Sequence, residues 1–442
     1  AEASLSGKLA EISTLEGKKI NRRLYLDVQE DYADSYANPA YAVSKMGWEY
    51  GPLLSALDAR LHGIYTSCME GNIRYLCIYA ELFVEIYNCF EDAQNLNVHE
   101  IRKCMYSFMH DYTEIFNADA ICRLIDPEYD YFTQIVMEAE LDYPAYLYRY
   151  GLYIGKDETE SAHFLHSLTK QQMQAMADTF TEGYRIGFET TGKDISKKSV
   201  VEIRYPLGFE RMVRAAVHNF KKIGLQPVLR PYSISLNKQF TYDHKEDRGL
   251  WLDKALIERG LEVDRTVWEK HKAIAPNYGG PAVIEIFGTK PFSPEQKEER
   301  VTYTDKQREI DVYERSEKSQ LINHYIHGEE RSFTIIAYPV PSIGEKYEEI
   351  FAETVSQQFL RQFGMMILDW RVLRTEISRS PILAGAEPEH YFIHKVRFAM
   401  SGNTGDGEHP PRFQPHDFVQ IRYSQFHARG ISLFKQLVQS LP

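Results

Sequence analysis

Between residues 200 and 341 strand-like and helix-like runs alternate, and no other feature narrows the possible folds as far. Ser199-Val-Val-Glu-Ile-Arg-Tyr205 has the β-branched apolar content of a strand. Phe209 to Ile223 repeats its apolar residues at helical spacing, and Leu225-Gln-Pro-Val-Leu229 returns to strand character. Two later runs, Ala282-Val-Ile-Glu-Ile-Phe-Gly288 and Ser332-Phe-Thr-Ile-Ile-Ala-Tyr338, extend the series. Strand, helix, strand in this order predicts a parallel sheet covered by helices, because parallel neighbours need a crossover long enough to carry a helix. Phe209, Met212, Val213, Ala216, Phe220 and Ile223 are expected to face that sheet, with Gly224 as a left-handed C-cap.

The chain before this segment reads as helical. Asn38-Pro39 opens a run in which Leu53, Leu54, Leu57 and Leu61 share a face. Ile73, Leu76, Cys77, Ala80, Phe83, Val84 and Tyr87 follow amphipathic spacing. Thr169 and Gln172 form a capping-box pair, ahead of a stripe of Met173, Met176, Ala177, Phe180 and Tyr184. These stripes are expected to be the core of a helix bundle rather than a cofactor or peptide groove. The polar stretch from Phe188 to Ser199 marks a boundary. The predicted class is therefore α + α/β: an all-helical region over 1–190, a Rossmann-like parallel α/β domain over 195–355, and an irregular, divergent or truncated tail over 356–442. A second capping-box pair, Thr304 and Gln307, opens the helix before the last strand, and Pro294 to Arg300 reads as a solvated surface.

Charge and cysteine content restrict partners and compartment. The net charge of −12 argues against a nucleic-acid backbone or an anionic membrane as partner. No apolar run approaches the ~18 residues of a spanning helix. The chain opens Ala-Glu-Ala-Ser, without Met or an apolar signal segment, which predicts no export signal and a trimmed or incomplete reading frame. Cys68, Cys77, Cys89, Cys104 and Cys122 are odd in number and lack CxxC spacing, so reduced thiols in a cytoplasmic protein are expected.

Motifs for chemistry are sparse. The turn Tyr205-Pro-Leu-Gly-Phe209 holds only Gly208, too few glycines for a dinucleotide-binding GxGxxG turn, and neither a phosphate-binding P-loop nor a GxSxG elbow is found. His390 and His394 stand one helical turn apart with Glu387 and Glu389 upstream, but position 391 is Tyr391 where an HExxH site needs Glu. With His409, His416, Asp417 and His427 they are the candidate metal ligands, in a tail (371–442) whose charge balance is +3 against −15 for the rest. Asp243-His-Lys-Glu-Asp247 reads either as a ligand-facing loop or, preferably, as a cap for the following helix.

Three segments carry a resemblance. Val201-Glu-Ile-Arg-Tyr-Pro-Leu-Gly-Phe-Glu-Arg-Met-Val-Arg-Ala-Ala-Val217, Gly280-Pro-Ala-Val-Ile-Glu-Ile-Phe-Gly288 and Arg331-Ser-Phe-Thr-Ile-Ile-Ala-Tyr-Pro-Val-Pro341 are similar to the first domain of metal-dependent aminopeptidases of the aminopeptidase T / aminopeptidase S type. Residues 20–190 resemble the extra helical region of longer members, through Asn38-Pro-Ala-Tyr-Ala42, Phe83-Val-Glu-Ile-Tyr-Asn-Cys-Phe90 and Ala177 to Phe188. The resemblance implies removal of N-terminal residues from peptides by two divalent metal ions (Zn, Co or Mn) that activate water. In the family those ions sit in a second domain, and no position after about Asp369 matches its ligand-bearing strands. No catalytic, cofactor-binding or metal-binding residue carries over, so this chain is expected to be inactive alone, a truncated, frame-shifted or divergent product. The alternatives are a non-catalytic binding or assembly module, or a metalloenzyme built on His390, His394, His409 and His416. Peptides would be partners only with the catalytic half present. An uncovered apolar patch predicts a homodimer or other self-association.

Overall fold

The structure, a computed structural model, describes residues 12–91 and 96–367. Nine α-helices precede the first strand among these residues: α1 (Thr14–Gln29), α2 (Pro39–His62), α3 (Ile64–Glu70), α4 (Ile73–Glu91), α5 (Val98–Asp111), α6 (Thr113–Ile125), α7 (Tyr131–Glu138), α8 (Lys156–Ser167) and α9 (Lys170–Thr190). Then follow β1 (Val200–Pro206), α10 (Glu210–Lys222), β2 (Gln226–Tyr232), α11 (Lys238–Asp243), α12 (Lys254–Lys270), β3 (Tyr278–Phe287), α13 (Asp305–Tyr325), β4 (Thr334–Pro339) and α14 (Tyr347–Ile367).

The four strands form one sheet in the order β2-β1-β3-β4, and every pairing is parallel. The fold is thus a mostly helical N-terminal region followed by a Rossmann-like α/β unit. β1 connects outward to β2 on one side and β3 to β4 on the other, so the chain changes direction between β1 and β3. That switch point, at the carboxyl ends of the strands, is where open α/β sheets take their ligands.

Alternation along each strand fixes what covers each face. Val201, Ile203, Tyr205, Ala282, Ile284, Ile336 and Tyr338 pack on Met212, Val213, Ala216 and Phe220 of α10, on Phe351 of α14, and on α9. Phe220 stands edge-on to both Phe180 and Tyr184. The stripe Met173, Met176, Ala177, Phe180 and Tyr184 is therefore a sheet-covering face rather than the bundle core expected, and the polar stretch at 188–199 separates α9 from the sheet along the chain but not in space. Among the described residues the opposite face is covered only over its amino-terminal half, where Val200, Val228 and Tyr278 meet Val263, Val267 and Trp268 of α12 and Ile121 and Ile125 of α6.

The caps fall where the sequence places them. Thr169–Gln172 and Thr304–Gln307 both close complete capping boxes, Asn38 caps α2 with Pro39 at its first position, and Gly224 ends α10 at φ +86°. Ile223, expected on the sheet, is 39% exposed because it is itself the C-cap of α10.

In α4 the expected stripe is reversed. Ile78, Tyr79, Leu82 and Ile86 are buried against Leu53, Leu57, Ile101, Met105 and Phe108, while Ile73, Phe83, Val84 and Tyr87 are each more than half exposed. Both sets fit a 3.6-residue period, so periodicity alone does not choose between them. Trp251 and Leu256 complete this helical core, tying it to the α/β unit.

Candidate functional site

The carboxyl edge of the sheet is occupied by the chain itself. The first turn of α8 lies across the loops that follow β1, β2 and β4. Glu158, fully buried, accepts from the backbone N–H groups of Ile234 (2.6 Å), Ser235 (2.8 Å) and Gly155 (3.0 Å), and from the hydroxyls of Ser233 (2.9 Å) and Ser235 (2.6 Å). A carboxylate cradled by so many donors fills the kind of nest that elsewhere binds an anion. Asp157, beside it, accepts from the Ser342 N–H (2.8 Å) and hydroxyl (2.7 Å) after β4. The turn after β1 closes on the same helix. Gly208 has φ +99°, and a Cβ there would stand 2.6 Å from the Glu158 carbonyl oxygen. Glycine at 208 thus serves a positive φ and a close backbone approach, not phosphate binding.

Beneath this turn lies a buried polar cluster. The fully buried Glu210 carboxylate accepts from the Gly208 N–H (2.9 Å) and the Tyr146 hydroxyl (2.9 Å), while the Tyr150 and Tyr205 hydroxyls pair at 3.0 Å. Burial pushes the Glu210 carboxyl up to about 7, with the hydrogen bonds pulling the other way. The same burial holds Tyr146, Tyr150 and Tyr205 well above the ordinary phenol range.

Among the described residues the second face of the sheet is open over its carboxyl half. Arg204, Tyr232, Val283, Glu285, Phe333 and Ile335 line a cleft of about 430 Å³ there. Glu202, buried next to Arg204 on this face, is already satisfied by Arg204 (2.8 Å), Arg230 (3.0 Å) and the Tyr278 hydroxyl (2.8 Å).

The cluster Asp243–Asp247 has a different task from the one expected. Asp253 caps α12 through the Leu256 N–H (2.8 Å). Asp243, fully buried, instead accepts from the Tyr32 hydroxyl (2.6 Å), Lys297 Nζ (2.7 Å) and Gln239 Nε2 (2.7 Å). The His244 ring contacts the Asp247 carboxylate (2.8 Å) and the Ala37 carbonyl (2.6 Å). These residues clamp the loop after β2 onto the N-terminal helices, and Lys297, expected in solvent, is drawn 93% out of it to pair with Asp243.

Next to this clamp three metal-ligating groups converge. Asp27 belongs to the last turn of α1, and Asp58 and His62 to the last turn of α2. His62 Nε2 is 2.8 Å from Asp27 Oδ2 and 4.0 Å from Asp58 Oδ2. Burial raises the Asp58 carboxyl, and His62 opposes that shift. Three donors suffice for one ion; a bridged pair of ions, as the resemblance implies, needs a larger set, and the described residues supply no second group. His390, His394, His409 and His416 lie outside the described residues.

None of the described helices is long and apolar enough to cross a membrane, and all five cysteines are unpaired. Comparison of the chain with models of protein families, with curated proteins and with solved structures gives no match.

Proposed function

We propose that the described residues are a scaffold and assembly module of a cytoplasmic peptide-trimming metallohydrolase of the aminopeptidase T / S type, without catalytic machinery of their own. The single observation that carries the scaffold reading is the closed carboxyl edge. The nest where a Rossmann-like sheet receives its ligand is filled by Glu158 and Asp157, and every donor it offers them is used internally. The open carboxyl half of the opposite face is the surface left for another body to cover. The family part of the reading rests on the segments Val201–Val217, Gly280–Gly288 and Arg331–Pro341, which make up β1, the start of α10, β3 and β4.

The test is hydrolysis of Leu-p-nitroanilide by the purified chain with added Zn²⁺, Co²⁺ or Mn²⁺. The expected result is no turnover above the metal alone. Metal-dependent turnover that N-acetylation of the substrate abolishes would overturn the scaffold reading.

A further inference from the structure

We propose that Asp27, Asp58 and His62 form a binding site for one divalent cation of the zinc type, set between α1 and α2 with its open side to water. The three donor atoms already lie within 4.8 Å of one another. A tetrahedral zinc site with bonds of ~2.0–2.1 Å places its donors roughly 3.3 Å apart, so His62 and Asp27 stand slightly too close and Asp58 slightly too far. Asp58 and His62 share one face of α2 at i, i+4 spacing, which is what lets a single helix supply two ligands.

Three further observations point the same way. The His62 side chain is nine-tenths buried, and its polar contacts run through Nε2, which is directed into the cluster. Aromatic rings fix the imidazole: Tyr25 stacks at 6.1 Å, and Tyr65 (5.3 Å) and Phe240 (6.0 Å) stand edge-on. Neither carboxylate pairs with a lysine or arginine among the described residues, so two acids face each other across His62, with the His244 imidazole acting on Asp58 from further off. The aspartates remain 42% and 35% exposed, leaving room for water to complete the coordination. One imidazole and two carboxylates suit zinc, cobalt or manganese rather than a thiolate-seeking ion. The ion would join the end of α1 to α2 beside Phe240, in the helix that follows β2.

The experiment uses the full chain, stripped with EDTA and dialysed, then titrated with Zn²⁺ by calorimetry and with Co²⁺ by visible absorption. One ion per chain is expected, with a cobalt spectrum of low coordination number. His62→Ala and Asp58→Asn should each weaken binding by more than the ~10–100-fold that loss of a ligand's supporting partner costs. Asp58→Asn preserves shape and keeps the test valid if His62→Ala misfolds; circular dichroism monitors both. Absence of binding, or stoichiometric binding unchanged in both variants, would overturn the proposal, the latter by placing the ion elsewhere, such as on His390, His394, His409 or His416. Binding is read without peptide turnover, so failure here and failure of the scaffold reading are separate results.

Discussion

Glu210→Gln isolates the cost of a buried carboxylate. Glu210 has no solvent exposure, and its carboxyl titrates near 7 in the folded chain against 4.5 in the open one. The folded state therefore holds a proton that the unfolded state releases across this interval. Stability from this group is complete below pH 4.5 and is lost as pH rises through 7, the reverse of a salt-bridged acid. At about 1.4 kcal/mol per pH unit, the loss between pH 5 and pH 8.5 is on the order of 2–3 kcal/mol. Glutamine cannot ionise and loses nothing over that range. It keeps an oxygen for the Gly208 N–H and the Tyr146 hydroxyl, and sets its amide where Glu210 Oε1 has no partner, which costs it about 1–3 kcal/mol at every pH. The informative quantity is the difference between variant and wild type, measured by urea unfolding through the fluorescence of buried Trp251 and Trp268 at both pH values. It should move by about 2–3 kcal/mol in favour of the variant as pH rises. A difference that stays flat from pH 5 to pH 8.5 would refute the burial argument.

Other substitutions probe the closed edge and the open surfaces. Glu158→Ala strands the N–H groups of Ile234, Ser235 and Gly155 and should destabilise the chain by at least about 3–5 kcal/mol, read as a fall in urea midpoint. Gly208→Ala forces a side chain into a positive φ and against the Glu158 carbonyl, and should lower the melting temperature measurably; an unchanged value would contradict the packing of α8 on this turn. Ile335, 58% exposed on the open face, and Phe83, 52% exposed on α4, should drive concentration-dependent self-association in gel filtration. Ile335→Lys with Phe83→Lys should reduce it, and a wild-type chain that stays monomeric at high concentration would remove the basis for this expectation.

Much of the α/β unit is legible in the sequence because its strands are rich in β-branched and aromatic residues. Val200 to Tyr205 and Ala282 to Phe287 are of this kind, broken only by Glu202, Arg204 and Glu285 on the partly open face. The caps are legible because Thr169–Gln172 and Thr304–Gln307 are local chemistry. What lies across the edge is not. Asp157 and Glu158 look like ordinary acids in a first helical turn, and their partners at Ser233–Ser235 and Ser342 are far along the chain. Lys297 sits in a charged run that gives no sign of its buried partner Asp243. Asp58 and His62 do carry a local signal, two ligand types at i, i+4, but Asp27 reaches them from another helix. The outward stripe of α4 fails for a different reason: Phe83, Val84 and Tyr87 are as apolar as the buried Ile78, Leu82 and Ile86, and only tertiary packing decides which set is covered.

Hydrogen exchange at the loops after β2 and β4 tests most directly whether the chain seals its own ligand mouth. With Glu158 and Asp157 in place, the amides of Ile234, Ser235 and Ser342 should exchange as slowly as those of β1, and added nucleotide or phosphate should leave them unchanged. Exchange at the rate of an open loop, slowed when phosphate or nucleotide is added, would show a vacant binding site and contradict the account.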